Sequence, residues 1–224
     1  MFLTKFSEIG GRFDPQFYLK YYKEIEQSIK KSSNKICRLE QIFEINRGGS
    51  PRPIQNFLTN KDNGVNWIKI GDTKKDDKYI YQTVEKITPD GAKFSRKVEI
   101  GDFVLSNSMS FGRPYIMKIE GYIHDGWLIF KPKFSDFNAD YFHSILSSKL
   151  IYQLFKKATI GGVVENLNID LVKKVSIPIP SLKKQQEIAN HIQTIRENAN
   201  KLKINATQIL QQAKEEVEAI ILGK

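Results

Sequence analysis

The sequence predicts an α+β fold in which a short helix and a mainly β body precede one long helix. Three observations predict it. Between about residues 36 and 133, short apolar runs alternate with Gly, Pro, Asn and Asp, which is typical of strands joined by turns. After Pro180 the chain contains neither Gly nor Pro until Gly223, so no residue there interrupts a helix. An amphipathic segment before the β region supplies the third observation.

The first helix is predicted at about residues 14–31. An Asp-Pro pair opens it, and proline is favoured at the first helical position. Apolar residues then recur at spacings of four, three and four, namely Tyr18, Tyr22, Ile25 and Ile29. Since residues at these spacings share one helical face, this helix is expected to bury one side.

The β body is predicted from short apolar runs bounded by turn residues. The candidate strands are residues 42–45, 66–70, 79–84, 103–106, 115–119 and 127–131, with a last strand at 175–180. Helical character returns at residues 140–157, and a glycine-containing loop follows at 159–162.

The long helix is predicted from residue 181 to about residue 222. Its apolar positions alternate in steps of four and three, the heptad pattern of a coiled coil. They are Ile188, Ile192, Ile195, Ala199, Leu202, Ala206, Ile209 and Ala213. About 42 residues at 1.5 Å each span about 60 Å. A lone helix with one apolar stripe requires a partner, so a dimerising coiled coil is expected; a helix folded back on its own domain is the alternative.

The charge is unevenly distributed. The chain has 35 Lys+Arg against 25 Asp+Glu, a formal net charge of +10. Residues 181–224 hold seven Lys+Arg and five Glu, a net +2, which leaves +8 on residues 1–180. This excess predicts a polyanionic partner, most simply nucleic acid, bound by the β body.

Several protein classes are excluded. One cysteine, Cys37, forms no disulfide framework, and three histidines leave little for a zinc site. No stretch approaches the roughly 20 apolar residues of a membrane span, and the first residues form no apolar signal region. A cytoplasmic protein without a bound metal is therefore expected.

An enzymatic function is not predicted. The sequence lacks a Gly-x-x-x-x-Gly-Lys-Ser/Thr loop and a Gly-x-Gly-x-x-Gly loop. His124-Asp125 is a candidate acid–base pair, but adjacent residues of a strand point to opposite faces. No residue is therefore assigned a catalytic or metal-binding role.

Several segments occur in a characteristic order. Residues 42–51 lead from a strand into Gly-Gly-Ser-Pro, and residues 67–72 and 101–106 follow as strand-like runs that contain Gly-Asp. Residues 161–168 and 177–180 then lead into the long helix. Together these segments resemble the specificity subunit of type I restriction-modification systems, and the resemblance covers nearly the whole chain.

The chain differs from the family pattern in two respects. Where the family's long helix begins with two acidic residues, this chain has Lys183-Lys184, followed by a matching Gln185 and Ile188. Family members usually carry two target recognition domains and two long helices. This chain has one of each, so it resembles a half-subunit.

The resemblance implies an α/β-type target recognition domain with a curved, mainly antiparallel sheet at residues 1–180, and a spacer and dimerisation helix at 181–224. It implies a non-catalytic subunit that binds double-stranded DNA and docks methyltransferase subunits, with a motor-nuclease subunit as a further partner. This chain is expected to bind no cofactor; S-adenosylmethionine is expected on the methyltransferase. A homodimer joined through antiparallel helices would prefer an interrupted palindrome, because site symmetry mirrors protein symmetry.

The candidate DNA-contacting residues are cationic, amide and hydroxyl side chains of loops, together with exposed backbone amides. They are Arg47, Arg52, Lys69, Lys74, Lys75, Lys93, Arg96, Asn107, Ser108, Arg113, Lys156, Lys157, Thr159, Gly161 and Gly162. Asn107 and Arg113 are the candidates for base contacts, because amide and guanidinium groups bind base edges through two hydrogen bonds. Solvated side chains, turn capping and a helix C-cap are the alternative roles. The two tryptophans are predicted to lie in the core.

Other functions remain open at this point. One is an unrelated basic module that binds RNA or DNA and dimerises through its helix. Another is an inhibitory half-subunit that competes for methyltransferase subunits without reading DNA. A nuclease or methyltransferase in its own right is the third, and activity of the isolated chain would identify it.

Overall fold

The computed structural model describes residues 14–108, 110–159 and 166–223, and within them it confirms the α+β class and the long helix. The helices are α1 (Lys20–Lys30), α2 (Leu39–Ile42), α3 (Pro89–Ala92), α4 (Ala139–Leu146), α5 (Lys149–Lys157), α6 (Ile169–Lys174) and α7 (Leu182–Ile221). The strands are β1 (Lys35–Arg38), β2 (Phe43–Arg47), β3 (Val65–Ile68), β4 (Tyr79–Ile80), β5 (Glu85–Ile87), β6 (Arg96–Val98), β7 (Phe103–Ser106), β8 (Pro114–Met117), β9 (Gly121–Ile123), β10 (Trp127–Pro132) and β11 (Ser176–Ile179).

The described strands form three sheets. Their orders are β2-β10-β7-β8-β4, β5-β3-β9-β6 and β1-β11. The pairings are antiparallel except those of β3 with β9 and of β4 with β8, which are parallel. The mainly antiparallel pairing that the resemblance implies is therefore confirmed, with the strands divided among three sheets.

An aromatic cluster joins the five-stranded sheet to α4. Phe43 of β2 makes edge contacts with Phe103 of β7, Phe130 of β10 and Phe142 of α4, with ring centroids 5.5–5.7 Å apart. All four side chains are buried. Burial of one such side chain contributes about 1.5–3 kcal/mol, so this cluster fixes α4 on the sheet. Both tryptophans are also buried, as predicted.

Several elements differ from their predicted bounds. A 3-10 turn, Pro15–Tyr18, precedes α1, because Leu19 adopts an extended backbone and separates the two. The helical segment predicted at 140–157 is two helices. Ser148 separates them: its backbone is extended, and its Oγ accepts a hydrogen bond from Ile151 N at 3.3 Å to cap α5.

The first three turns of α7 pack on the body, meaning the sheets and helices that precede α7. Gln185 and Ala189 are buried beside α4, and Asn138 Nδ2 donates a hydrogen bond to Gln186 Oε1 at 2.8 Å. Beyond these turns the seam is exposed, with Ile195 54% and Leu202 70% accessible. The described residues thus do not fold α7 back along the body. None of the described helices has the length and apolarity needed to span a membrane.

Candidate nucleic-acid interface

The loop after β2, residues 48–53, lies against the turn at 123–126. Gly48 N donates to Trp127 O at 2.9 Å, and Gly49 N donates to Ile123 O at 3.2 Å. A Cβ atom on Gly48 would lie 2.1 Å from His124 O. Because that contact is with backbone, only glycine allows the loop to approach the turn this closely.

Asp125 holds this loop through hydrogen bonds from Arg47, Ser50 and Arg52, an arrangement that we call the clamp. Its Oδ1 accepts from Ser50 Oγ at 3.0 Å, its Oδ2 accepts from Arg52 Nη2 at 2.8 Å, and its backbone carbonyl accepts from Arg47 Nε at 3.0 Å. Burial raises the pKa of the Asp125 carboxyl, but the hydrogen bonds from Ser50 and Arg52 and the Arg52 charge outweigh burial and hold the pKa below its usual value. The carboxylate form is therefore present at neutral pH and holds Arg52, while the backbone carbonyl of the same residue holds Arg47.

Two further predicted cations lie beside this clamp. Arg96 Nε donates to Arg47 O at 2.6 Å, and Lys69 pairs with Glu85. A groove of about 600 Å³ opens next to the loop, lined among others by Arg52, Trp67 and Lys69. The structure therefore brings Arg47, Arg52, Lys69 and Arg96 together, although 49 residues separate the first from the last.

His124 and Asp125 do not form an acid–base pair. The Nδ1 of His124 lies 3.7 Å from Asp125 Oδ1, while both oxygens of that carboxylate already accept other hydrogen bonds. Burial lowers the pKa of His124, so its ring is neutral at pH 7. Its Nε2 lies 3.2 Å from Ile70 N and its Nδ1 lies 2.8 Å from Gly126 N; a neutral imidazole has one acceptor nitrogen, so it accepts a hydrogen bond from one of these two N–H groups. This arrangement indicates a structural histidine.

A second group of cations lines a groove of about 890 Å³ between the body and α7, which we call the α7 groove. Its cations are Lys75, Arg113, Lys149 and Arg196. Lys75 and Arg113 are among the residues predicted from the sequence, whereas Lys149 and Arg196 are not. The loop that carries Arg113 is shaped by Ser106, whose Oγ donates to Ser110 O at 2.6 Å and accepts from Arg113 N at 3.0 Å.

Asn107 lies in the interior, contrary to the expectation of a base-contacting amide. Its side chain is fully buried, and its Oδ1 accepts from Leu167 N at 3.0 Å. Its backbone N–H donates to Gly126 O at 2.7 Å. Asn107 thus connects three loops and presents no group to a DNA base in this conformation. Ser108, half-buried beside it, lies near Gly126.

The cations at the end of α5 are divided between structural and exposed positions. Lys157 Nζ pairs with Glu26 at 2.6 Å and lies 4.3 Å from the centroid of the Phe17 ring, so it holds α1 and α5 together rather than facing solvent. Thr159 Oγ1 donates to Lys156 O at 2.9 Å, which is the helix-capping role named as the alternative. Lys156 is exposed. Gly161 and Gly162 lie outside the described residues.

The remaining candidates lie on exposed turns. Lys93 pairs with Asp90 at 2.7 Å, and Lys74 N donates to Asp77 Oδ2 at 2.9 Å to close its turn. In the described parts of the chain, no three His, Cys, Asp or Glu side chains are grouped to hold a metal ion.

Comparisons with family models and with curated proteins indicate the same family. A model of the type I restriction modification DNA specificity domain matches residues 31–215. The type I restriction enzyme specificity subunit S.HindORF215P of Haemophilus influenzae is 27% identical over 177 residues, which is 75% of this chain and 43% of that relative. The chain therefore spans less than half the length of this curated relative.

Solved structures share the fold. A chain from a structure that describes complex assembly and conformational transition of the type I R-M system aligns with a TM-score of 0.61 at 15% identity, covering 84% of this chain and 46% of that one. The HsdS subunit of Thermoanaerobacter tengcongensis aligns with a TM-score of 0.59 at 16% identity, covering 82% and 46%. The type IIG restriction endonuclease BpuSI aligns with a TM-score of 0.56 at 11% identity, covering 77% and 28%.

Proposed function

Because the chain belongs to the family of the type I restriction modification DNA specificity domain, we propose that it reads DNA sequence for a type I restriction-modification system. The family match over residues 31–215 carries this proposal. The chain is a recognition subunit and not the catalyst. It binds double-stranded DNA in the cytoplasm and determines the DNA sequence at which a catalytic partner subunit acts.

The clamped loop after β2 supports this function. Arg47 and Arg52 are held by Asp125 before DNA binds, so less side-chain freedom is lost when a complex forms. A guanidinium has five N–H donors. Asp125 accepts a hydrogen bond from one nitrogen of Arg52, so other N–H donors of this side chain remain for phosphate or base edges. Arg96 and Lys69 extend the same positive region.

The chemistry is proposed to come from partner subunits. A methyltransferase subunit would bind S-adenosylmethionine and transfer the methyl group to adenine, and a motor-nuclease subunit would add cleavage. The chain itself holds no cofactor in this proposal. Its role is to fix where on the DNA the methyltransferase works.

We propose further that two copies of the chain form one complete reader. The chain has one recognition body and spans less than half of its curated relative. The apolar side chains of α7 from Ile195 onward are exposed, and these include Leu202 and Ile209. Antiparallel pairing of two such helices would cover them and relate the two bodies by a two-fold axis. Each body would then read one half of an interrupted palindrome.

Methylome sequencing tests the proposed function. Cells that express this chain with its methyltransferase subunit are compared with cells that express the methyltransferase subunit alone. The expected result is a new methylated motif in the first cells only, with two inverted halves. The absence of any new motif would contradict DNA reading, and preference for RNA in a competition assay would favour the unrelated basic module. A motif with two dissimilar halves would contradict the homodimer alone.

A further inference from the structure

The geometry points to a second DNA-contacting surface, the α7 groove, in which Arg196 of α7 binds a backbone phosphate. The inference rests on the proposed function, and it goes further by placing DNA on the long helix as well as on the loops of the body. α7 would then have two roles, pairing with a second copy along one face and contacting DNA along another.

The groove is lined by cations from four separate elements. Lys75 belongs to the loop before β4, Arg113 to the loop before β8, Lys149 to the first turn of α5 and Arg196 to α7. Asp76 and Asp77 also line it, so the six charged residues leave a net charge of +2. Its volume of about 890 Å³ is the larger of the two grooves described above.

The groove cations differ from several other predicted DNA-contacting cations in having no ion-pair partner among the described residues. Arg52, Lys69 and Lys93 each pair with a carboxylate. Among the residues that the structure describes, none of Lys75, Arg113, Lys149 and Arg196 pairs with one. Unpaired cations that face one groove repel each other, and a bound polyanion relieves that repulsion.

A buried histidine, His143, lies at the floor of the groove. Its Nε2 is 3.2 Å from Pro114 O. Burial, together with the charges of Arg196 and Lys78, lowers the pKa of His143 to about 4. Arg196 and His143 line the same groove, and burial contributes more than the Arg196 charge to this lowered pKa. The histidine is neutral at pH 7, so it adds no charge that would need a partner of its own.

The proposed dimer seam and the phosphate contact adjoin on α7, and Ala199 belongs both to the seam and to the lining of the groove. Each residue turns an α-helix by about 100°. Arg196 and Leu202 are six positions apart, so their side chains project about 120° apart. A partner helix centred on the Leu202 side of the seam leaves Arg196 facing the groove, whereas one that also covered Ile192 and Ala199 would lie beside the arginine. The face that carries Gln185 and Ala189 against the body continues directly into Arg196, which places the arginine where α7 separates from the body.

Charge-removing variants of α7 test this inference. Arg196→Gln is compared with Lys201→Gln, which removes the same charge from a face about 140° away. Arg196→Lys is the conservative variant. Fluorescence anisotropy of the 224-residue chain is measured across a salt series, with the duplex that the wild type most enriches from a random library and with a scrambled duplex of equal composition. Thermal unfolding shows that each variant is folded.

The expected result is that Arg196→Gln weakens binding to both duplexes alike, by several-fold. The slope of log K against log salt should become less steep by about 0.9 for each bound chain, because one phosphate contact is lost. Arg196→Lys should retain the wild-type slope, and Lys201→Gln should behave as the wild type.

Other outcomes separate this inference from the proposed function. Equal behaviour of Arg196→Gln and Lys201→Gln would overturn the phosphate site while the enriched duplex still supported DNA reading. A loss confined to the enriched duplex would replace the phosphate contact with a base contact. If the wild type enriched no sequence and Arg196→Gln still lowered the slope, the groove would stand and the reading function would fail. No binding of either duplex by the wild type would overturn both.

Discussion

Asp125 connects Arg47, Ser50 and Arg52: its carboxylate holds the loop residues Ser50 and Arg52, and its backbone carbonyl holds Arg47 at the end of β2. The Arg52 and Asp125 side chains are 78% and 41% exposed, and such exposed pairs add only about 0–1 kcal/mol to stability. This ion pair therefore fixes the conformation of the loop and contributes little to the free energy of folding.

Asp125→Ala should reduce the preference for the enriched duplex over the scrambled one, because Arg52 and Ser50 lose their anchor. The midpoint of thermal unfolding should change little. The comparison is with Asp136→Ala, which removes the same charge from an exposed position. Competition binding measures the ratio of the two affinities. An equal ratio for both variants would mean that the clamp does not contribute to sequence choice.

His143 predicts a pH dependence of stability. Its pKa is lowered to about 4, below the unfolded value of about 6.5. The unfolded chain therefore binds a proton before the folded chain does as the pH falls. The free energy of unfolding should have its full value above about pH 6.5 and should fall by up to about 3 kcal/mol towards pH 4.

Urea unfolding at pH 7 and pH 4.5 measures this loss. His143→Gln should show a smaller difference between the two pH values than the wild type, because the titrating group is absent. His191→Gln is the matched control, since His191 is exposed on α7 and its replacement should leave the wild-type difference unchanged. The same pH difference in His143→Gln and in the wild type would assign the acid sensitivity to other groups.

Asn138 caps the N-terminus of α4 and also contacts α7. The Oδ1 of Asn138 accepts from Tyr141 N at 2.8 Å, and its Nδ2 donates to Gln186 Oε1 at 2.8 Å. Asn138→Ala should lower the unfolding free energy by about 1 kcal/mol, as expected for a lost N-cap. Asn138→Asp keeps the capping acceptor and removes the donor to Gln186, so it should remain close to the wild type in urea unfolding. Equal destabilisation by both variants would show that the contact with α7 is the larger contribution.

The exposed apolar seam of α7 is the proposed contact between two copies of the chain. Leu202→Glu places a charge on the exposed seam, so the proposed dimer should become a monomer in sedimentation velocity at micromolar concentration. Thr207→Glu introduces the same charge about 140° around the helix and should leave the dimer intact. A monomeric wild type, or two variants with the same sedimentation behaviour, would exclude the seam as the dimer contact.

Strong apolar patterns predicted their elements well. Residues 103–106 coincide with β7, and the predicted helix at 181–222 is α7 within one residue at each end. The strands β1, β5, β6 and β9 escaped prediction, because each has only three or four residues and their sequences mix charged or small residues with apolar ones. Their pairing depends on neighbouring strands and not on a local pattern.

The candidate site was predictable by residue type more than by geometry. Arg47 and Arg52 stood out because they flank a Gly-Gly-Ser-Pro loop. Their common anchor did not, because 73–78 residues separate Asp125 from them along the chain. The amide of Asn107 carries the same sequence signal whether it faces solvent or, as here, Leu167 in the interior. Arg196 gave no signal, since an arginine on a long polar helix is ordinarily solvated.

At the scale of the whole molecule, the proposed homodimer relates charge to symmetry. The +8 of residues 1–180 would be presented twice, at the two ends of a helical pair, with the cations of each α7 groove beside each body. α7 has 40 residues and is about 60 Å long, which is somewhat less than two turns of DNA at about 34 Å per turn. Such a reader would bind two half-sites at once and gain affinity from their connection.

The symmetry of the reader can be tested with the arrangement of half-sites. A duplex with two inverted half-sites should bind the wild type on the order of 100-fold more tightly than a duplex with one, because the second contact becomes intramolecular. Two half-sites in direct repeat, at the same spacing, should bind no better than one, because antiparallel helices relate the bodies by a two-fold axis. Leu202→Glu should bind all three duplexes with the affinity of a single half-site. Equal affinity of the wild type for the inverted and direct arrangements would refute the two-fold reader, and anisotropy titrations at one fixed salt concentration measure that comparison directly.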